Sequence, residues 1–325
     1  MTKKVTITDV AKESGFGVGT VSRVLSGDKS VKDSTRAKIM KVIADLDYIP
    51  NVNGARLRKK HSGVIAVLVP VINHPFFAEF LENVEIAAER EGWSLLVIAS
   101  QMNEEKEKEI LVKIRRHEID GGIFVTHYKH DPKELEDCPL VSIDRHLSEE
   151  IPLISSDNYD STKKALELLY SHGNRHIGFI GTKPIVESEV FLRKKAYDDF
   201  VQEKGLPMMA KWEVVDHGME ETLAESFLNE YPELDAIFAS NSAVAMHVYN
   251  SCIRRGKTFP NDLELISNDG VSALWGGQLI DCVRQDIKSM AETAFLTLKN
   301  LIEEKEVNPV NIIPTTLILG HTTRS

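Results

Sequence analysis

Cysteine is scarce in this sequence. Cys138, Cys252 and Cys282 are far apart and odd in number, so they fit neither a disulfide framework nor a common zinc spacing, and they read as small apolar residues. Long hydrophobic runs are missing as well. No stretch approaches the roughly 18 apolar residues of a membrane helix, and no apolar core of a secretory signal follows the basic start MTKKVTITDVAKES, so the cytoplasm is the expected location and a membrane partner is not expected. Metal-ligating clusters, nucleophile elbows and glycine-rich phosphate loops are also lacking. The segment GFIGTKP comes nearest to a phosphate loop but does not end in Gly-Lys-Ser/Thr. The expectation is a chain without metal, cofactor or catalytic residues, and not an enzyme.

Positive charge is short overall, with a net −10 over 325 residues, which by itself argues against a polyphosphate partner. The distribution reverses that reading. Residues 1–60 carry 13 Lys and Arg against 6 Asp and Glu, while the remainder carries 26 against 43. A basic head on an acidic body suits a nucleic-acid-binding head with a regulatory body. The length implies two or three folding units, one of them small.

In the head, Thr6 or Thr8 can cap a helix over residues 9–13 with Ile7, Val10 and Ala11 on its apolar stripe, and Gly15 stops it. A second helix, VGTVSRVLSG, places Val18, Val21, Val24 and Leu25 inward and Thr20, Ser22 and Arg23 outward, before Gly27 ends it. Residues 33–47 carry Ile39, Val42, Ile43 and Leu46 at helical spacing. Together these make a three-helix unit containing a helix-turn-helix, too small to be an enzyme.

The segment TITDVAKESGFGVGTVSRVLSG, followed by DYIPN, resembles the DNA-binding head of LacI/GalR transcription regulators. The resemblance implies that the second helix enters the major groove of operator double-stranded DNA. Val18 and Gly19 would then stand at the specificity positions, Thr20 and Ser22 would face phosphates, and Arg23 would reach a base or a phosphate. Thr6 and Asn51 are counted as further DNA contacts. Two departures weaken the grip: Gly17 replaces a capping serine, and Gly19 offers no side chain. Beyond Tyr48, the segment IPNVNGARLRKKHSG falls where the family has a hinge helix that orders on DNA and wedges a leucine into the minor groove. Leu57 aligns with that leucine, and Gly54 replaces the usual alanine.

From Gly63 the pattern changes to apolar strands alternating with amphipathic helices, in two successive series. The fold class expected is α/β, a three-helix head followed by a two-lobed, periplasmic-binding-protein-like body with doubly wound parallel sheets. Its expected divisions are a head at 1–48, a hinge at 49–62 and a body at 63–325. The first lobe of that body takes 63–159 and 287–312, and the second takes 160–286 and 313–325.

Ligands of such folds lie beyond the carboxyl ends of the strands, and here those ends are polar or aromatic: NHPFF, DRHL, and the residues around Asn241, Asp269 and Gln285. A sugar needs bidentate donors and acceptors for its hydroxyls and a flat apolar wall for its C–H faces. The positions resemble those of periplasmic ribose-binding proteins and their repressor relatives. By that resemblance Phe76 and Phe77 would stack on the ring, and Asp144, Arg145, Arg193, Asn241, Asp269 and Gln285 would bond hydroxyls. His74 stands for a sugar-contacting asparagine, and Phe238 is counted in the pocket. Phe76 also reads as plain core, Asp144 with Arg145 as a strand-end ion pair, and Asn158 as a structural residue at the lobe crossing.

The stretch IDRHLSEEIPLISSDN is close to that of Gram-positive sucrose- and ribose-operon repressors. The expected function is a sugar-responsive repressor of a carbohydrate-utilisation operon, relieved by its effector. Co-repression by a phosphorylated sugar, a sugar-metabolising enzyme and a transport binding protein are the alternatives. No heptad tail follows GHTTRS, so a homodimer is expected rather than a coiled-coil tetramer.

Overall fold

A computed structural model describes residues 5–48, 61–101, 103–126, 128–215, 218–270 and 280–324. The chain divides into two units, Met1–Ser62 and Gly63–Ser325. In the first, α1 (Ile7–Ser14), α2 (Val18–Leu25) and α3 (Asp33–Asp45) enclose Val10, Ala11, Val21, Val24, Ile39 and Tyr48. Thr6, not Thr8, is the cap of α1. Its hydroxyl accepts from Asp9 N, and the Asp9 carboxylate accepts in return from Thr6 N at 2.8 Å, a reciprocal box that satisfies two otherwise free donors. Gly15 closes α1 at φ 72°, a left-handed conformation that suits a residue without Cβ.

The face of α2 differs from the sequence reading. Val18 is 43% exposed rather than inward, and Ser22 is buried at 6% rather than outward. On an eight-residue helix held by two neighbours, the inward stripe narrows to Val21, Ser22 and Val24, and the first turn projects beyond it.

The second unit contains two six-stranded sheets. The first lobe is built from β1 (Val64–Val69), α4 (Pro75–Arg90), β2 (Ser94–Ala99), α5 (Glu104–Arg115), β3 (Gly121–Phe124), α6 (Pro132–Leu135), β4 (Leu140–Ile143) and β5 (Leu153–Ser156). The second lobe follows with α7 (Asn158–Ser171), β6 (Ile177–Thr182), α8 (Phe191–Lys204), β7 (Met209–Glu213), α9 (Glu220–Glu230), β8 (Ala236–Ala239), α10 (Ser242–Arg254), β9 (Glu264–Asn268) and β10 (Asp281–Gln285). The chain then returns through α11 (Ile287–Ile302) and β11 (Val310–Ile313) to the first lobe, and ends with β12 (Thr315–Ile318) in the second. Sheet orders are β11-β5-β4-β3-β1-β2 and β12-β10-β9-β8-β6-β7.

Alternate residues of each strand feed opposite faces. Ile65, Val67 and Val69 of β1 join Phe80, Val84 and Met290 under α4 and α11, while Ala66 and Leu68 join Leu111 and Ile114 under α5. The second sheet is covered likewise, by α9 and α10 on one side and by α7 and α8 on the other. The central strands β3, β4 and β8 are buried throughout, which is why they read as continuous apolar runs.

In place of the wholly parallel sheets expected, β12 pairs antiparallel with β10 in an otherwise parallel sheet. Only Pro314 separates β11 from β12, so the chain passes directly from the edge of the first sheet to the edge of the second. Among the described residues no helix is long and apolar enough to cross a membrane.

Candidate functional site

In the head, the first turn of α2 presents Val18 and Gly19 to solvent, with Thr20 half-buried and Arg23 exposed. Gly17 caps this helix without a side-chain hydrogen bond. Thr6 is exposed, but its hydroxyl is engaged with Asp9 Oδ2 at 2.6 Å. Ser22, expected to face phosphate, is the one member of the α2 set that is buried. Asn51, Leu57 and the hinge lie outside the described residues.

In the body, the strand ends of the two lobes meet in a seam of buried polar groups. Asp144, just past β4, and Asp269, just past β9, both take left-handed backbone conformations, φ 56° and 65°. A short polar side chain tolerates that region better than a branched one. The turn frees Asp144 O to accept from Ser188 Oγ at 2.8 Å and Glu189 N at 2.9 Å, both of the second lobe. The Asp144 carboxylate accepts from Ser155 Oγ at 2.7 Å.

From there the seam is continuous. Asn158 Nδ2 donates to Ser155 Oγ (3.2 Å) and Ser156 O (3.0 Å), its Oδ1 accepts from Arg193 Nε (2.6 Å), and Arg193 Nη1 donates to Ser240 O (2.8 Å). A second branch runs from Ser156 Oγ to Gln285 Oε1, from Gln285 Nε2 to Asp269 Oδ1, and from Asn268 Nδ2 to the same oxygen at 2.9 Å. Nearby, Arg284 Nη2 of β10 donates to both oxygens of Glu79 on α4, at 2.8 and 3.0 Å, which ties the lobes again.

Two carboxylates and two guanidiniums therefore share one buried region. Burial pushes the Asp144 carboxyl up, and the Arg193 charge and the Ser155 hydroxyl oppose the shift. Burial pushes Arg145 down to about 10, against the charges of Asp144 and Glu107. Arg145 is 8% exposed, and its Nη1 has no hydrogen-bond partner.

The structure brings Asp144, Arg145, Arg193, Asp269 and Gln285 together. Asn241 follows Ser240 and caps α10, accepting from Val244 N at 2.9 Å and donating to Thr182 Oγ1 at 3.3 Å. His74 stands at the start of α4, 5.1 Å between ring centroids from half-buried Phe77. Phe76 is core, stacked on Phe80 and edge-on to Phe77, so it backs that ring instead of offering a face. Phe238 is a correction: at 0% exposure it stacks on Phe179 inside the second lobe, because its position on β8 points under α7 and α8.

Ser155, Ser156 and Ser240 were not singled out from the sequence, whereas Asn158, assigned a structural place at the lobe crossing, bonds Ser155, Ser156 and Arg193 there. The run LISSDN at the end of an apolar strand was the signal available. The glycines of GFIGTKP lie within β6, where a Cβ on Gly178 would meet Leu234 and Phe227, so strand packing accounts for them.

A three-helix head with an exposed helix start thus precedes a two-lobed body with a buried polar seam. Residues 6–51 match the model of bacterial regulatory proteins of the lacI family, and residues 62–281 match that of periplasmic binding proteins and the sugar-binding domain of the LacI family. The chain belongs to the LacI family of transcriptional regulators. It is 29% identical over 325 residues to the ribose operon repressor of Halalkalibacterium halodurans, covering 98% of this chain and 97% of the relative. It is also 29% identical over 317 residues to the sucrose operon repressor of Streptococcus mutans, covering 97% and 98%. Its fold matches the lac repressor dimer solved with operator and the anti-inducer ONPF, with a TM-score of 0.84 at 22% identity, covering 99% of this chain and all of that one.

Proposed function

We propose that this chain is the repressor of a carbohydrate-utilisation operon, and that a neutral sugar of the ribose, fructose or sucrose type is its inducer. The observation that carries the ligand class is the charge of the seam. Asp144 and Asp269 balance Arg145 and Arg193, and two of the three Arg193 nitrogens, Nε and Nη1, already donate to Asn158 and Ser240. A phosphate would meet two carboxylates without surplus positive charge, whereas hydroxyls can both donate to Asp144 and Asp269 and accept from Arg145. Asn241 and Gln285 would add hydroxyl contacts, and Phe77 with His74 would supply the wall, with Phe76 behind it. The ribose and sucrose operon repressors among the relatives support the same class.

Two protomers would place two heads on a pseudo-palindromic operator, with Val18, Thr20 and Arg23 facing DNA and Leu57 wedged in the minor groove. The head would occupy residues 1–48, the hinge 49–62 and the body 63–325. Sugar binding in the cleft would alter the lobe orientation and lower the population of the operator-competent state. The site of action is then the cytoplasm, at the nucleoid.

A thermal-shift screen tests the ligand class, because a ligand that binds the native state raises Tm by mass action. D-ribose, D-fructose or sucrose should raise Tm and their phosphates should not. A phosphate ester that shifts Tm more than its parent sugar would overturn the neutral-ligand reading.

A further inference from the structure

Bonds within a lobe hold whatever the lobes do, whereas a bond between lobes forms only in orientations that bring its two ends together. Among the described residues two side-chain ion pairs cross the boundary. One joins His146 to Glu189 and carries opposite charges only while the imidazole is protonated. The other joins Arg284 of β10 to Glu79 of α4. Arg284 is flanked by Val283 and Gln285, both buried, and alternation along the strand sends its side chain to the opposite face, away from the one Gln285 uses to enter the seam.

From that face Nη2 donates to both Glu79 oxygens, at 2.8 and 3.0 Å, and Nη1 donates to Gly270 O at 3.5 Å. Gly270 follows Asp269, and Glu79 lies two residues beyond Phe77. One guanidinium thus links the turn that carries a seam carboxylate in the second lobe to the helix that carries the half-buried ring in the first. The side chains of Arg284 and Glu79 are 23% and 26% exposed, so water screens this pair less than a fully exposed one. Among the described residues neither group has another charged partner, so the contribution of the pair is made between the lobes and not within one.

We propose that Glu79 and Arg284 are positioning residues for the effector: their ion pair favours the lobe orientation in which the seam groups of both lobes converge on the sugar, and so sets the sugar concentration at which the operator is released. This inference rests on the reading of the seam as a sugar site. Neither residue touches the sugar, and both act by holding Phe77 and Asp269 in register across the boundary. A contact made in only one orientation shifts the balance towards it by its own free energy, so the two residues must be coupled in binding.

A double-mutant cycle on the full-length chain tests this, with the Kd measured by titration calorimetry for whichever of D-ribose, D-fructose and sucrose raises the wild-type Tm most. Glu79→Gln and Arg284→Gln should each raise Kd on the order of fivefold, and the double variant should lose about as much as either single one, because the pair is already broken. Operator affinity without sugar should stay within about twofold, since the operator-competent orientation already dominates there, while the sugar concentration for half-release should rise with Kd. A Kd unchanged in either single variant, even with a lowered Tm, or a double variant whose loss is the product of the two, would overturn the proposal. If Arg284→Gln does not fold, Arg284→Met, which keeps the apolar stem, takes its place in the cycle with the same outcomes. A wild-type protein that binds none of the three sugars would overturn the sugar reading and this role with it, whereas failure of the cycle in a sugar-binding protein overturns this role alone.

Discussion

Arg193 Nε donates to Asn158 Oδ1 at 2.6 Å, and Asn158 donates in turn to Ser155 and Ser156, so an arginine of the second lobe is joined through one amide to the end of the last parallel strand before the crossing. Arg193 is buried, and removing it leaves Asn158 Oδ1 and Ser240 O without their donor. Arg193→Ala should therefore cost about 3–5 kcal/mol of stability, which obscures its role in binding. Arg193→Lys keeps the charge but not the two-armed reach. Its expected outcome is a folded protein whose operator affinity no longer responds to sugar, checked by operator titration with and without the effector. An unaltered response would remove Arg193 from the site.

Two of the three phenylalanines assigned to the pocket from sequence, Phe77 and Phe238, now separate. Phe238→Ala should lower the unfolding free energy by about 3–5 kcal/mol, as for a fully enclosed ring. Phe77→Ala, at a half-buried position, should leave stability much less affected and weaken sugar binding by about tenfold. Chemical denaturation and calorimetry on the two variants check this contrast, and the reverse pattern would contradict the placement of both rings.

The difference between those rings marks what the sequence could show. Strands whose two faces are both covered are apolar at every position, so the run DAIFAS identifies β8 without saying which face holds Phe238. The polar punctuation at strand ends was legible, and it located Asp144, Arg145, Asp269 and Gln285. The place of Asn158 at the lobe crossing was legible, but its partner Arg193 was not, because it lies 35 residues away and only the crossing brings the two together. In α2, eight residues offer barely two turns of periodicity, too few to choose between Val18 and Ser22 as the inward residue. The pairing of β12 was not legible either, because a four-residue strand after Pro314 does not say which sheet it joins or in which sense.

Gly17 caps α2 with extended backbone, φ −68° and ψ 149°, and an added Cβ would meet nothing within 4 Å. Gly17→Ser should therefore fit, cap the helix, and stabilise the head by a few tenths to about 1 kcal/mol. A serine there also supplies a hydroxyl for a phosphate, so operator affinity should rise. Thermal unfolding of the variant together with a DNA titration checks both effects, and a lower Tm would contradict the cap geometry.

On the surface of the second lobe, bonds from Arg255, Ser251 and Arg254 hold the Glu225 carboxyl down to about 2 from an ordinary 4.5. A depressed folded-state value contributes stability that is fully present above 4.5 and is lost as the pH falls from there towards 2. The group is more than a third exposed, and solvent screening limits the effect to at most about 1 kcal/mol. Glu225→Gln should therefore be slightly less stable than the wild type at pH 7, and the gap should close as the medium is acidified. Denaturant midpoints across that range check it, and a gap that widens on acidification would contradict the assignment.

The central claim is that sugar in the body weakens the grip of the head on DNA. The most direct test is the fluorescence anisotropy of a labelled pseudo-palindromic duplex, selected by the protein from a random pool, titrated with the full-length chain at several salt concentrations with and without the neutral sugar that raises Tm most. Affinity that falls steeply with salt, and falls by a further tenfold or so when the sugar is saturating, is the predicted result. An operator affinity identical with and without a sugar that demonstrably binds would contradict the account.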